Sequence, residues 1–145
     1  MKNETVFPEA CDYLEQVQVA ERQVERLEQR IENLRMLTTD TSVHLTDLPH
    51  APSPDQQKLL TILAEIDELE RELAEAKLHA AYMRMVVGAM VCQLDNPMAQ
   101  RVLLLHYLEG KSWKEIRRSL GCGHTQVYRF RYQGLECLSQ MLESA

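Results

Sequence analysis

The sequence predicts an all-α chain, with two long helices packed antiparallel and a compact group of short helices after them. Three observations predict it. Apolar residues recur every seven positions over two long stretches. Gly and Pro number five each and aromatics make up 6% of the 145 residues, which disfavours a turn-rich sheet protein. The C-terminal third carries helix start and stop signals at short intervals.

Residues 1–8 form a lead closed by Pro8. From Ala10 the first repeat begins: Ala10, Val17, Val24 and Ile31 hold one position, and Tyr13, Ala20, Leu27 and Leu34 the other. Glu, Gln and Arg fill the positions between, as on a solvated face. The segment TTDTSVHLTDLPHAPSP, residues 38–54, clusters Thr, Asp and Ser before three prolines and reads as a loop. The second repeat runs through Leu59, Ile66, Leu73, Ala80, Val87 and Leu94, with Ile62, Leu69, Ala76, Met83 and Met90 between them. Two such seams joined by a loop zip most simply into a helical hairpin spanning residues 9–95. With Leu34 opposite Leu59, Arg30 falls near Glu65 and Glu21 near Lys77. Residues 80–94 are apolar on nearly every face, as in a helix buried on several sides, so the second helix is expected to end in the core of the C-terminal unit. Gly88, which costs about 1 kcal/mol in a helix interior, is expected to mark close packing or a bend.

Asn96-Pro97 is a cap and restart, opening a compact domain over residues 96–145. The helix from 97 to 109 packs through Val102, Leu104, Leu105 and Leu108, and Gly110 ends it. Ser112 and Glu115 make a capping box for the next helix, whose apolar face is Ile116 and Leu120. Gly121 follows at a helix-ending position, and a further helix starts near His124. That helix continues past Gly134 through Leu135, Leu138 and Leu142. The arrangement is a helix-turn-helix. Its second helix leads with His124, Thr125, Gln126, Tyr128 and Arg129, leaving Val127 and Phe130 for a core. A polar, basic and aromatic leading edge suits the major groove of double-stranded DNA. Arg129 is the strongest candidate base reader, because a guanidinium pairs bidentately with guanine.

The net charge of −6 conceals an asymmetry. Residues 1–95 hold nine Lys/Arg against eighteen Asp/Glu (−9), whereas residues 96–145 hold seven against four (+3). Lys111, Lys114, Arg117, Arg118 and Arg131 are therefore candidate phosphate contacts. No reaction chemistry is legible. His44, His50, His79, His106 and His124 are scattered, with no paired carboxylates or nucleophile–base pair, so an enzyme is not expected. Cys11, Cys92, Cys122 and Cys137 include no C-x-x-C pair, which argues against a zinc ribbon or disulfide framework and for the reducing cytoplasm. No metal or cofactor is expected. No apolar run approaches the ~20 residues of a membrane span, and the N-terminus MKNETVFPEA lacks a signal-peptide core.

The C-terminal segment resembles region 4 of the sigma-70 family. The frame that carries this is Leu105, Tyr107, Leu108, Gly110, Ser112, Glu115, Ile116, Leu120, Gly121, Val127, Leu135 and Leu138. The whole chain is similar to small phage and integrative-element regulators that place a coiled-coil hairpin before such a head, notably in LLHYLEGKSWKEI and HTQVYRF. The resemblance implies base reading by His124, Thr125, Tyr128 and Arg129. Two positions depart from the pattern: Arg117 stands where a small Ala is usual, and Gly123 where a Ser or Thr cap is usual. Nothing resembles region 2. Three functions follow as expectations. The first is a transcriptional regulator or sigma-like accessory factor that binds duplex DNA. The second is an interaction module that binds RNA polymerase or another partner through hairpin and head. The third is a phage terminase small-subunit-like protein, although that family usually carries its DNA-binding head before the oligomerising part. Seams that close within one chain can also close between two, so a homodimer through the arm is compatible with each.

Overall fold

The computed structural model describes residues 7–42 and 54–144, with side chains placed for all but 40–42. All regular structure in them is helical: α1 (Pro8–Ser42), α2 (Pro54–Val91), α3 (Pro97–Leu103) running into a π-helical turn (Leu104–Leu108), α4 (Trp113–Leu120) and α5 (His124–Ser144). Among the described residues no helix is long and apolar enough to cross a membrane. The chain divides into two compact units, one formed by the chain up to Ala20 together with Ala80 onward, the other by Glu21–His79.

In the Glu21–His79 unit, Leu27 and Ile31 of α1 are buried with Ile62, Ile66 and Leu69 of α2, and Leu34, Leu73 and Ala76 pack against them. These are the heptad positions, so the repeat buries the stripe it defines. The expected pair Arg30–Glu65 is present at 2.5 Å and Arg35–Glu70 adds a second at 2.7 Å. Lys77, however, lies 3.7 Å from Glu28, seven residues along α1 from the expected Glu21. Arg30–Glu65 keeps the expected register, so the long Lys77 side chain takes a different carboxylate along α1 without any slip of the seam. Each pair is largely exposed and contributes under about 1 kcal/mol. The segment expected to be loop from residue 38 is helical to Ser42. There the Thr38 and Thr39 hydroxyls donate to the Arg35 carbonyl at 2.6 and 3.1 Å, local bonds of the kind by which threonine competes with the helical ladder near a helix end. The remainder of that expected loop, residues 43–53, lies outside the described residues.

The other unit has two cores. The larger gathers Ala10, Leu14 and Val17 of α1, Val87 and Val91 of α2, Leu94, Leu103, Tyr107, and Leu135 and Leu138 of α5. The smaller is Val102, Ile116 and Val127, with Leu105, Trp113, Leu120 and Phe130 against it. The stretch 80–94 enters the larger core as expected but is not buried all round, since Tyr82 and Met85 are 57% and 64% exposed. Asn96 caps α3, accepting from the Met98 and Ala99 amides at 2.9 and 3.3 Å with Pro97 behind it.

The helix expected over 97–109 changes pitch at Leu104. There the Glu109 amide donates to Leu104 O at 3.0 Å, five residues back. Side chains from two other helices meet the carbonyls at this end. Gln18 of α1 donates to the His106 and Tyr107 carbonyls at 3.0 and 3.2 Å, and Arg84 of α2 donates to Leu108 O at 2.7 Å. These bonds satisfy groups that a helix terminus leaves without partners. A polar chain also crosses the larger core: Arg131 Nη2 donates to the Tyr107 hydroxyl at 3.2 Å, and that hydroxyl donates to Cys11 Sγ at 3.9 Å. Burial pushes the Tyr107 phenol up to about 12, against the opposing pull of Arg131.

The two helix-interior glycines differ. A Cβ on Gly88 would meet Leu108 Cδ2 at 3.5 Å, an ordinary contact that an alanine tolerates. A Cβ on Gly134 would stand 2.8 Å from Leu103 Cδ1 and 3.2 Å from Leu103 Cγ, and Leu103 is fully buried. Gly134→Ala should therefore destabilise the protein by about 1–2 kcal/mol, overpacking outweighing the better helix propensity. Gly88→Ala should be neutral or stabilising, and urea unfolding of the two variants checks the contrast. A second expectation concerns alkaline pH. With the folded phenol at about 12 and the unfolded one at 10, the neutral form is favoured in the fold. Stability is complete below pH 10 and falls by roughly 1.4 kcal/mol per pH unit as pH rises towards 12. The stability gap between the wild type and Tyr107→Phe should be narrower at pH 11 than at pH 8; an unchanged gap would mean that Tyr107 is not the titrating group.

Candidate nucleic-acid interface

The short helix α4 is fixed at both ends by local chemistry. Ser112 Oγ accepts from the Glu115 amide at 3.2 Å, and Glu115 Oε1 accepts from the Ser112 amide at 2.9 Å, closing the expected capping box. These bonds from Ser112 hold the Glu115 carboxyl below its ordinary range. At the other end Gly121 adopts φ +66°, a conformation that disfavours side chains with a Cβ, and the next amide returns to the Arg117 carbonyl at 3.2 Å. Gly123 then accepts the first α5 bond, from the Val127 amide at 3.1 Å.

Ile116 on α4 and Val127 on α5 meet Val102 of α3 in the smaller core, which ties the two helices together. With Val127 turned inward, His124, Thr125, Gln126, Tyr128 and Arg129 all have exposed surface. All five expected base readers are therefore exposed at the start of α5, and four of them, His124, Thr125, Tyr128 and Arg129, lie at offsets 0, 1, 4 and 5 on one face. Phe130 is half-buried against the smaller core, as expected. The His124 and Tyr128 rings lie 6.5 Å apart and nearly parallel. Tyr132, which the sequence reading did not single out, continues this edge at 42% exposure, its ring edge-on to Phe7 at 5.2 Å. Its offset of four from Tyr128 was the available signal.

The five candidate phosphate contacts separate into two groups. Lys111, Lys114 and Arg118 are exposed along α4 and the turn before it. Arg117 is half-buried and lines a cleft between α4 and α5, so the side chain at the position usually held by a small residue is accommodated beside the helix crossing. Arg131 turns inward. Its guanidinium donates to Tyr107, lies 5.5 Å from the centre of the Trp113 ring, and has a buried Nε with no hydrogen-bond partner among the described residues. Arg131 stands four residues after Val127, and that spacing puts it on the core side of α5.

Trp113, the chain's single tryptophan, is the other residue that sequence reasoning passed over. Its ring stacks on His106 at 3.9 Å between centroids. His106 Nδ1 lies 2.9 Å from the Lys111 carbonyl. Burial lowers the imidazole's pKa, the Lys111 bond opposing it in part, so the neutral ring is favoured. The stack fixes the turn that carries Lys111 to the end of the π-helical segment. A lone tryptophan at the first position of a capped helix was the signal for it.

No protein-family model, curated protein or solved structure has significant similarity to the chain.

Proposed function

We propose that this protein is a double-stranded DNA-binding transcriptional regulator or sigma-like accessory factor. In this reading α4 and α5 form a helix-turn-helix, and α1 and α2 form an antiparallel coiled-coil hairpin that carries it. The observation that supports it most is the start of α5. Five side chains able to read base edges are exposed there, while Val127 in the same two turns is buried with Ile116 and Val102. An edge held this firmly can enter a major groove without being reordered. Exposed Lys111, Lys114 and Arg118 supply the surrounding positive charge, with Arg117 at the helix crossing. Arg131, held by Tyr107, serves more as a brace than as a phosphate contact. The resemblance to sigma-70 region 4 belongs to the same proposal, as does its kinship with phage and mobile-element regulators.

A second reading, that the chain also binds a protein, is favoured by the exposed apolar face of α2 at Tyr82 and Met85. RNA polymerase and a second copy of the chain are the partners that reading would take.

Fluorescence anisotropy with labelled duplex tests the first reading. Affinity should fall steeply with salt, with a log–log slope of roughly 0.9 for each phosphate neutralised. Lys114→Ala should weaken binding to every sequence alike and reduce that slope by about 1. Arg129→Ala should lose ~1–3 kcal/mol on the preferred site and relax the choice at one base pair. Salt-independent affinity, or no affinity for any duplex, would favour the protein-binding reading instead.

A further inference from the structure

Trp113, Arg117, His124, Val127, Tyr128 and Arg131 line a cleft of about 120 Å³ between α4 and α5. Two features of it call for a ligand. Two guanidinium side chains share the cleft, and none of its lining residues is acidic. The rest of the lining is apolar or aromatic: Trp113, His124, Val127 and Tyr128. A bare inorganic anion would answer the charge but leave the apolar wall without a use. A neutral ring would fill the wall and leave the guanidinium groups unanswered. Size sets the limit: a cavity of roughly 150 Å³ holds one benzene ring, so this smaller cleft takes no more than one ring, and part of such a ligand must lie in its open mouth beside the exposed His124 and Tyr128.

We propose that the cleft binds a small aromatic carboxylate of one ring, the ring against Trp113, Val127 and Tyr128 and the carboxylate paired with Arg117 and Arg131. Planar guanidinium groups suit a carboxylate because they donate two parallel hydrogen bonds. The proposal stands independently of DNA binding. Its consequence for that reading is specific: His124, Tyr128 and Arg117 are shared, so an occupied cleft opposes duplex binding.

Trp113 reports on the cleft directly, being the chain's sole tryptophan. The full chain is titrated with benzoate, with benzyl alcohol (ring without charge) and with inorganic phosphate (charge without ring), following tryptophan emission. Benzoate should give a saturable change below about 10 mM, a range corresponding to weak effector affinity, and the other two should not. Arg117→Gln should weaken benzoate about tenfold, the usual worth of a hydrogen bond to a charged group, with circular dichroism unchanged. Arg117 is chosen because Arg131 also braces Tyr107. Tyr128→Leu, on the opposite wall, provides the second variant and should weaken benzoate as well. An equal response to benzyl alcohol would reduce the cleft to a hydrophobic site. A response to phosphate alone would make it a plain anion site, and no saturable response to benzoate would remove it as a site. Each of these overturns the proposal, and none bears on duplex binding, because no arm contains DNA.

Discussion

Val127 is where the exposed edge of α5 is anchored. Its side chain is almost fully buried between Ile116 and Val102, so three helices contribute one residue each to a core too small to hold any of them alone. Burying such side chains contributes about 1.5–3 kcal/mol apiece, and together they fix the rotation of α5 about its axis. That rotation decides which residues face outward. With Val127 inside, His124, Thr125, Tyr128 and Arg129 are outside, and Arg131 is returned to the interior. The exposed edge is thus a consequence of packing on the opposite side of the helix.

The small core is in turn held by the larger one through shared elements. In the α3–π segment, Val102 and Leu105 belong to the small core while Leu103 and Tyr107 belong to the large one. α5 does the same, with Val127 in one and Leu135 and Leu138 in the other. The change of pitch at Leu104–Leu108 leaves helix-end carbonyls to be satisfied from outside, and Gln18 and Arg84 bond to three of them. The two carbonyls that Gln18 meets are part-buried, where a hydrogen bond contributes about 0.5–1.5 kcal/mol net, while the Arg84 bond is exposed and contributes less.

The features legible in the sequence were those governed by short-range rules. The heptad seams, the Asn96 cap, the Ser112–Glu115 box and the left-handed Gly121 each depend on residues within a few positions of one another, and each is present. What escaped depended on distant partners. The π-helical turn relies on α1 and α2 side chains, and the need for Gly134 is set by Leu103 more than thirty residues away. Of the charged pairs across the seam, Arg30–Glu65 was readable from the register, whereas Lys77 takes Glu28 in place of Glu21, a choice that depends on how a long side chain lies along the helix. Arg131 was assigned by its charge, when its position on the Val127 side of α5 carried more information. For the candidate site, the exposed edge was readable residue by residue, whereas the cleft beside it required the folding of α4 onto α5 to bring Trp113 and Arg117 near Tyr128.

The central claim is that α4 and the start of α5 form a preassembled surface for duplex DNA. Amide chemical-shift mapping of the isotopically labelled full chain, with and without a short random duplex, tests it most directly. The account predicts shifts concentrated at residues 111–118 and 124–132, with Val127 and Ile116 remaining buried and the Glu21–His79 unit unmoved. Shifts confined to the Glu21–His79 unit, or none at a saturating duplex concentration, would contradict it.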